Sequence, residues 1–82
     1  MEDLSKLNVS AGLRTTLRAI AQGKAEKVYV AEDADVFVRR QVAEAAAGKG
    51  VEVERVPDMK TLGRACALQV KCACCAVLRP EA

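Results

Sequence analysis

The sequence predicts an α/β protein built as a three-layer α/β/α sandwich around a small mixed sheet of four strands. Short β-branched or apolar runs alternate with segments whose apolar residues recur at helical spacing. Neither a linker nor an internal repeat interrupts this alternation. Strands separated by helices favour a sheet with helices packed on its faces. Because 82 residues suit one small domain, we expect a single domain over residues 1–82.

The first half of the chain predicts a strand, a helix and a second strand. A short extended segment over 7–10 precedes a helix over roughly 11–22, which Gly23 ends. Its apolar residues lie at helical spacing, at Leu13, Leu17, Ile20 and Ala21. The β-branched and aromatic run 27–31 predicts a buried strand.

A second helix is expected over roughly 35–47. Asp33 or Asp35 can cap its start, and Gly48 is expected to end it. Its length and glycine stop are those of an ordinary surface helix.

The second half of the chain ends in a strand, a short helix and a last strand. Residues 51–56 alternate apolar and acidic side chains, which predicts a strand with one wetter face. Pro57 opens a third helix that runs through about Ala65. The apolar run 72–78 predicts the last strand, and Pro80 stops it.

Aromatic content and charge limit the kinds of nucleic-acid binding that the sequence can support. The only aromatics are Tyr29 and Phe37, which argues against an aromatic platform for stacking several bases. The net charge of +2 does not by itself indicate nucleic acid. Basic segments at 12–27 and 55–79 flank an acidic stretch, 28–54, so the fold can separate a basic face from an acidic one. Ordinary solvated charge is the alternative.

Neither a membrane span nor a secretion signal is predicted. No apolar run approaches the roughly 20 residues that a spanning helix needs. The acidic start Met1-Glu2-Asp3 lacks the basic region of a signal peptide. We therefore expect a cytoplasmic protein with reduced cysteines and no membrane partner.

The stretch from Gly12 to Arg18 is the strongest functional signal. It carries Arg14 and Arg18 four residues apart, on one face at the very start of the first helix. The free N–H groups and positive dipole end of a helix already suit anions, and guanidinium groups bind phosphate or the guanine edge bidentately. Thr15 adds a hydroxyl in the same turn. The alternative is that both arginines only solubilise the outer face of the helix.

The segment between the third helix and the last strand carries two apolar residues beside a lysine. It comprises Leu68, Gln69, Val70 and Lys71. If Leu68 and Val70 are exposed, they need a partner.

The cysteines favour packing over chemistry. In a strand over 72–78, Cys72 and Cys74 would share one face and Cys75 the other. The chain contains no histidine, and the cysteine spacing lacks the two ligand pairs of a structural zinc site. We therefore expect the cysteines to pack as small apolar side chains in the core around the strand. A thiol-redox role, based on the four cysteines alone, is the alternative.

Enzyme machinery is not indicated. Without histidine no side chain titrates near neutrality by default, and no glycine-rich phosphate loop is present. The acidic run 32–35 could hold a divalent ion, but helix capping explains it more simply. We expect neither metal nor cofactor.

Together these segments resemble the kink-turn RNA-binding superfamily of large-subunit ribosomal proteins, the seven-Ae and thirty-e type. The likeness is strongest to its short bacterial YbxF-like branch and spans roughly 8–79. The motifs that carry it are Gly12 to Arg18, Ala31 to Asp35, Met59 to Cys66 and the small-residue last strand. The resemblance implies an α/β/α sandwich that binds kink-turns, RNA bends built on tandem sheared G·A pairs.

The resemblance also implies which residues touch RNA. The start of the first helix would read guanines through Gly12, Arg14, Thr15 and Arg18, where well-known members carry G-A-N-E-x-x-K. Thr15 therefore replaces a carboxylate with a hydroxyl.

A second contact implied by the family is the loop Leu68, Gln69, Val70 and Lys71, which would pack against a nucleotide flipped out of the bend. Asp35 would approach the same nucleotide, and helix capping explains Asp35 equally well. The candidate phosphate contacts are the basic residues Lys24, Lys27, Lys60, Arg64 and Lys71.

The expected function is recognition and stabilisation of kink-turns in structured RNA by a monomer. The RNA would be ribosomal or riboswitch-like, with the ribosome as a further candidate partner. The alternative is a ribosome-associated structural or protein-interaction module whose affinity for kink-turns has weakened.

Overall fold

The computed structural model describes Leu4 and residues 8–79. Within these residues, strands and helices alternate in the order β1 (Val9–Ala11), α1 (Leu13–Ala21), β2 (Ala25–Ala31), α2 (Val36–Lys49), β3 (Glu52–Val56), α3 (Met59–Ala65) and β4 (Cys74–Leu78). The order matches the predicted one. Leu7 of the predicted first extended segment and the predicted stop at Pro80 lie outside the described residues.

The sheet is mixed and has the strand order β1-β4-β2-β3. Strand β4 runs antiparallel to both of its neighbours, whereas β2 and β3 are parallel. Helices α1 and α2 pack against each other on one face, and α3 packs on the other. The predicted three-layer sandwich with a four-stranded mixed sheet is confirmed.

Helix α2 ends two residues later than the sequence predicts. It continues through Gly48 to Lys49, and the residue that ends it is Gly50, which adopts the left-handed conformation with φ 67°. The N–H of Val51 then donates to the carbonyl of Ala46 at 2.9 Å. Two glycines were available as a stop, and only the one that takes positive φ ends the helix.

Strand β4 begins at Cys74, two residues later than predicted, and this changes which cysteines share a face. Cys72 precedes the strand and packs with Cys75 in the cluster under α3. Cys74 lies in the other cluster, under α1 and α2. The predicted pairing of Cys72 with Cys74 on one face is wrong, because side chains alternate only within the pleated strand.

The core is thin and consists mainly of small side chains. Tyr29 on β2 is the largest side chain among those fully buried in the described chain. The inward positions of β4 are cysteine, alanine and valine, and all three cysteines from 72 onward are buried. The packing interpretation of these thiols is consistent with their burial, and short side chains let helices approach both faces of the sheet closely.

Gly63 in α3 is a point of close approach between α3 and the loop before β4. A Cβ there would overlap the carbonyl oxygen of Val70 and lie 3.2 Å from the Cα of Lys71. Gly63 itself is buried. The absence of a side chain at this position is therefore what allows the loop to lie against the helix.

We predict that Gly63→Ala lowers the free energy of unfolding by about 1–3 kcal/mol, the scale of overpacking. Gly48→Ala is the matched control, because Gly48 lies in a helix with no atom within 4 Å of an added Cβ. That control should raise stability by about 0.5–1 kcal/mol. Urea denaturation of the three proteins measures both effects. Equal changes in the two variants would show that the approach at Gly63 imposes no constraint.

Candidate nucleic-acid interface

Chain direction brings four segments to one edge of the sheet. Strands β1, β2 and β3 end at this edge and β4 begins there. The N–H of Gly12 donates to the carbonyl of Cys74 at 2.9 Å, and the N–H of Ala31 donates to the carbonyl of Ala73 at 2.9 Å. We call this the interface edge. The start of α1, the turn after β2, the start of α3 and the loop before β4 all lie along it.

The start of α1 presents Arg14 to solvent. Gly12, with φ 100°, precedes the helix and leaves it without a side-chain cap, and the first turn contains no acidic residue. Arg14 lies in that first turn and is exposed. Arg18, also exposed, lies in the last turn of this nine-residue helix. The expectation that both arginines lie at the very start of the helix is therefore correct only for Arg14.

Thr15 is exposed, and its hydroxyl is engaged with the backbone. The Oγ1 atom donates to the carbonyl of Ala11 at 2.5 Å and lies 3.3 Å from that of Gly12. A hydroxyl has one donor and two acceptor lone pairs. Because the donor is already used, Thr15 offers a ligand an acceptor, which is also what a carboxylate offers.

The loop before β4 is held at both ends by α3. Ala67 takes the left-handed conformation with φ 60°. The N–H of Leu68 donates to the carbonyl of Gly63 at 2.9 Å, and the N–H of Cys72 donates to that of Met59 at 3.0 Å. These bonds fix the loop against the helix at residues 68 and 72.

The middle of this loop is exposed. Val70 is 70% exposed and Leu68 39%, so Val70 is largely open to solvent and Leu68 is open in part. A shallow cavity of about 380 Å³ is lined by the loop and by the outer face of α3. Its lining residues are Lys60, Arg64, Leu68, Gln69, Val70 and Lys71. The structure thus brings the predicted loop residues together with two of the predicted phosphate contacts, Lys60 and Arg64.

The two aspartates of the turn after β2 accept hydrogen bonds from the first turns of two different helices. Asp35 Oδ1 accepts from the N–H of Phe37 at 2.8 Å and caps α2. Asp33 Oδ1 accepts from the N–H of Met59 at 2.8 Å and so ties the turn to the start of α3. Among the described residues, no group of acidic or thiol side chains is arranged to hold a metal ion. Capping of α2 is confirmed for Asp35, whereas Asp33 joins the turn to α3, whose own N-cap is Asp58.

Two apolar side chains at the interface edge were not predicted as functional. Val36 and Phe37, in the first turn of α2, are 59% and 62% exposed. The available signal was an aromatic residue two positions after the predicted cap Asp35. Phe37 gives the interface edge one exposed aromatic ring.

Two of the buried thiols, Cys72 and Cys75, are unsuited to chemistry at neutral pH. Cys72 and Cys75 stand in C-x-x-C spacing, a pattern that the burial of both residues explains as packing. Burial raises the pKa of the Cys72 thiol to about 11 and also raises that of Cys75. Both are therefore protonated and weakly nucleophilic in the folded protein.

The chain forms a small α/β/α domain whose interface edge is partly basic and partly apolar, a surface suited to binding. Residues 3–82 match the Ribosomal protein L7Ae/L30e/S12e/Gadd45 family, and the chain belongs to this family. No helix in the described part of the chain is long and apolar enough to cross a membrane.

The chain is similar to several bacterial proteins named for RNA binding. It is 47% identical over 68 residues to an RNA-binding protein of Geobacillus kaustophilus, strain HTA426, and covers 83% of each chain. It is 46% identical over 68 residues to the RNA-binding protein YbxF of Geobacillus stearothermophilus, with the same coverage. The resemblance to the YbxF-like branch is therefore confirmed.

Archaeal and eukaryotic proteins are also similar. The large ribosomal subunit protein eL8 of Halobacterium salinarum is 39% identical over 72 residues, which are 87% of this chain and 60% of that protein. The solved structure of a Giardia lamblia 15.5 kD RNA-binding protein superposes with a TM-score of 0.83 at 28% identity. That match covers 89% of this chain and 62% of the Giardia chain. These relatives are RNA-binding and ribosomal proteins, in agreement with the expectation that the chain is not an enzyme.

We predict that Arg14→Glu and Arg18→Glu change stability differently. Each replaces two like charges at i, i+4 with an opposite pair, which gains about 0.2–0.5 kcal/mol. Arg14→Glu also places an anion at the positive helix end, whereas Arg18→Glu removes a favourable cation from the last turn. Arg14→Glu should therefore be more stable than Arg18→Glu by about 0.5–1 kcal/mol or more in urea denaturation at low salt. Equal stabilities would contradict a conflict between Arg14 and the helix dipole.

Proposed function

We propose that the protein binds kink-turns in structured RNA and stabilises their bent form. The observation that carries this proposal is the interface edge, where the exposed start of α1 lies beside an exposed apolar loop. These are the two contacts that a kink-turn needs, one for its guanines and one for its extruded nucleotide. Membership of the family and the RNA-binding names of the relatives support the same function.

Arg14 and Arg18 are proposed to contact guanine edges and phosphates. A guanidinium group donates two parallel hydrogen bonds to guanine O6 and N7 or to two phosphate oxygens. Thr15 can accept from a guanine N–H while it donates to Ala11. The hydroxyl thus keeps the acceptor role of the carboxylate that it replaces, without the negative charge.

The loop is proposed to hold the extruded nucleotide. Leu68 and Val70 offer apolar contact area that is open to solvent in the free protein. Unpaired bases are commonly held by such packing together with hydrogen bonds. Gln69 offers an amide for those bonds, and one oxygen of the Asp35 carboxylate accepts from Phe37 while the other remains for a nucleotide.

Cations around the loop are proposed to contact phosphates without reading sequence. Lys60, Arg64 and Lys71 line the same cavity as the apolar pair. Charges of this kind position RNA and make binding sensitive to salt.

The proposed mechanism is capture of a conformation. A free kink-turn exchanges between extended and bent forms, and a protein that contacts only the bent form shifts the population by its differential affinity. A rigid arrangement of α1 and the loop suits this role. The bonds from Gly12 to Cys74 and from Leu68 to Gly63 provide that rigidity.

We predict that Arg14→Ala weakens kink-turn binding by about 1–3 kcal/mol, the scale of one bidentate base contact. The assay is a titration against a kink-turn duplex labelled on both arms, so that fluorescence transfer reports bending. Arg79→Ala is the matched control, because Arg79 is an exposed arginine at the end of β4 away from the interface edge. It should leave the affinity nearly unchanged.

A second RNA separates specific from general binding. In it, Watson–Crick pairs replace the tandem G·A pairs. Tight binding and bending of only the intact motif would support the proposal. Equal, salt-sensitive binding of both RNAs, with equal losses in Arg14→Ala and Arg79→Ala, would overturn it. Specific but weak binding would instead favour the ribosome-associated module with reduced affinity.

A further inference from the structure

A second pocket lies beside the interface edge and shares no residue with the proposed kink-turn contacts. It has a volume of about 360 Å³ and is lined by Val30, Glu32, Arg39 and Arg55. The volume is at the low end of the roughly 300–1,000 Å³ of small-ligand pockets. The pocket lies where β2 and β3 end, next to the first turns of α2.

The backbone fixes the positions of its lining residues. Val30 and Arg55 are register partners in the parallel pair of β2 and β3. The N–H of Glu32 donates to the carbonyl of Val56 at 2.8 Å, which holds Glu32 beside the end of β3. The pocket is therefore anchored to the sheet rather than to a loose loop.

A hydrogen bond from its side chain to the backbone restrains Arg39. Its Nε donates to the carbonyl of Ala34 at 3.0 Å, across the turn that precedes α2. This bond restrains the guanidinium group through Nε, and the described residues make no hydrogen bond to its two Nη groups. A guanidinium fixed in this way loses little further freedom when it binds.

The charged groups around the pocket do not neutralise one another. Within residues 8–79 the ion pair found is Lys27 with Glu54, at 3.1 Å. Glu32 therefore lines a cavity with two arginines without forming an ion pair with either. A carboxylate and two guanidinium groups that face a common space suit a ligand with hydrogen-bond donors on one side and acceptors on the other.

Guanine has this arrangement of groups. Its O6 and N7 are adjacent acceptors, which arginine binds bidentately. Its N1–H and N2 amino group are adjacent donors, which match the two oxygens of a carboxylate. Adenine lacks the paired donors, and a free phosphate would be repelled by Glu32. Val30 supplies an apolar wall, and the Arg39 plane offers a face for stacking.

We propose that this pocket binds the guanine base of an unpaired guanosine in RNA, outside the kink-turn contacts. The proposal rests on the proposed RNA-binding function, because the pocket adjoins the interface edge. Glu32 accepts from N1–H and N2, one arginine donates to O6 and N7, and the other contacts the attached phosphate or ribose. The pocket would add a base preference to RNA held at the edge.

The test is a titration of ¹⁵N-labelled protein, followed by amide chemical shifts, with GMP, AMP, CMP and inorganic phosphate. GMP should shift the amides of Val30, Glu32, Arg39 and Arg55 with an affinity at least tenfold above that of AMP or CMP. Equal shifts by all nucleotides and by phosphate would reduce the pocket to a general anion site and overturn the proposal. No shift at these amides with GMP would also overturn it.

Substitutions in the pocket test whether its residues cause the preference for GMP over AMP. Glu32→Gln should lower GMP affinity about tenfold and narrow the gap to AMP. Glu52→Gln is the matched control, since Glu52 is an exposed acid at the opposite end of β3. If both variants bind GMP as the unchanged protein does, Glu32 does not read the base. Arg55→Ala provides a second test, with loss of GMP shifts expected.

Short RNAs test whether the ligand of the pocket is a guanosine within RNA or a free guanine nucleotide. The single strand UUGUU should bind at the same amides more tightly than GMP, and UUAUU should not. Binding of GMP without binding of UUGUU would overturn the RNA source. None of these probes contains a kink-turn, so their failure leaves the kink-turn proposal to its own titration.

Discussion

Two backbone hydrogen bonds at one edge of the sheet bring together the segments that carry most of the candidate binding groups. One joins Gly12 to Cys74 and the other joins Ala31 to Ala73. Together they fix the start of β4 between the ends of β1 and β2. The start of α1, the turn after β2 and the loop before β4 therefore emerge side by side, although they are far apart in the sequence. Helix α3 adds a second layer of restraint, since Met59 is held by Asp33 and in turn holds Cys72.

This arrangement requires small residues at the positions where segments meet. Gly63 lets α3 lie against the backbone of the loop, and the short side chains of β4 let helices pack on both faces of the sheet. Three large apolar side chains, Leu68, Val70 and Phe37, are nevertheless exposed on the surface. An uncapped helix start with Arg14 in its first turn is a similar local compromise. Such departures from local stability are typical of binding sites.

The element order and the layers were predictable because apolar periodicity and glycine stops are local signals. Gly23 ends α1 as expected, with φ 71°. Gly48 does not end α2, because the residue with positive φ is Gly50, two positions later. The sequence alone does not show which of the two glycines takes that conformation. The face of Cys72 was mispredicted for a related reason, since the start of β4 depends on its partner strands. The bond from Asp33 to Met59 joins residues 26 positions apart and has no sequence signature. The pocket around Arg39 and Arg55 likewise depends on the register of β2 with β3.

The most direct test of the interface edge is amide hydrogen exchange of the protein with and without kink-turn RNA. We expect RNA to slow exchange in three separate segments, 12–18, 32–37 and 67–73, which share only their place on this edge. Exchange at the opposite end of the sheet, around 22–25 and 48–52, should not change. Protection confined to one of the three segments, or spread equally over both ends of the sheet, would contradict the account.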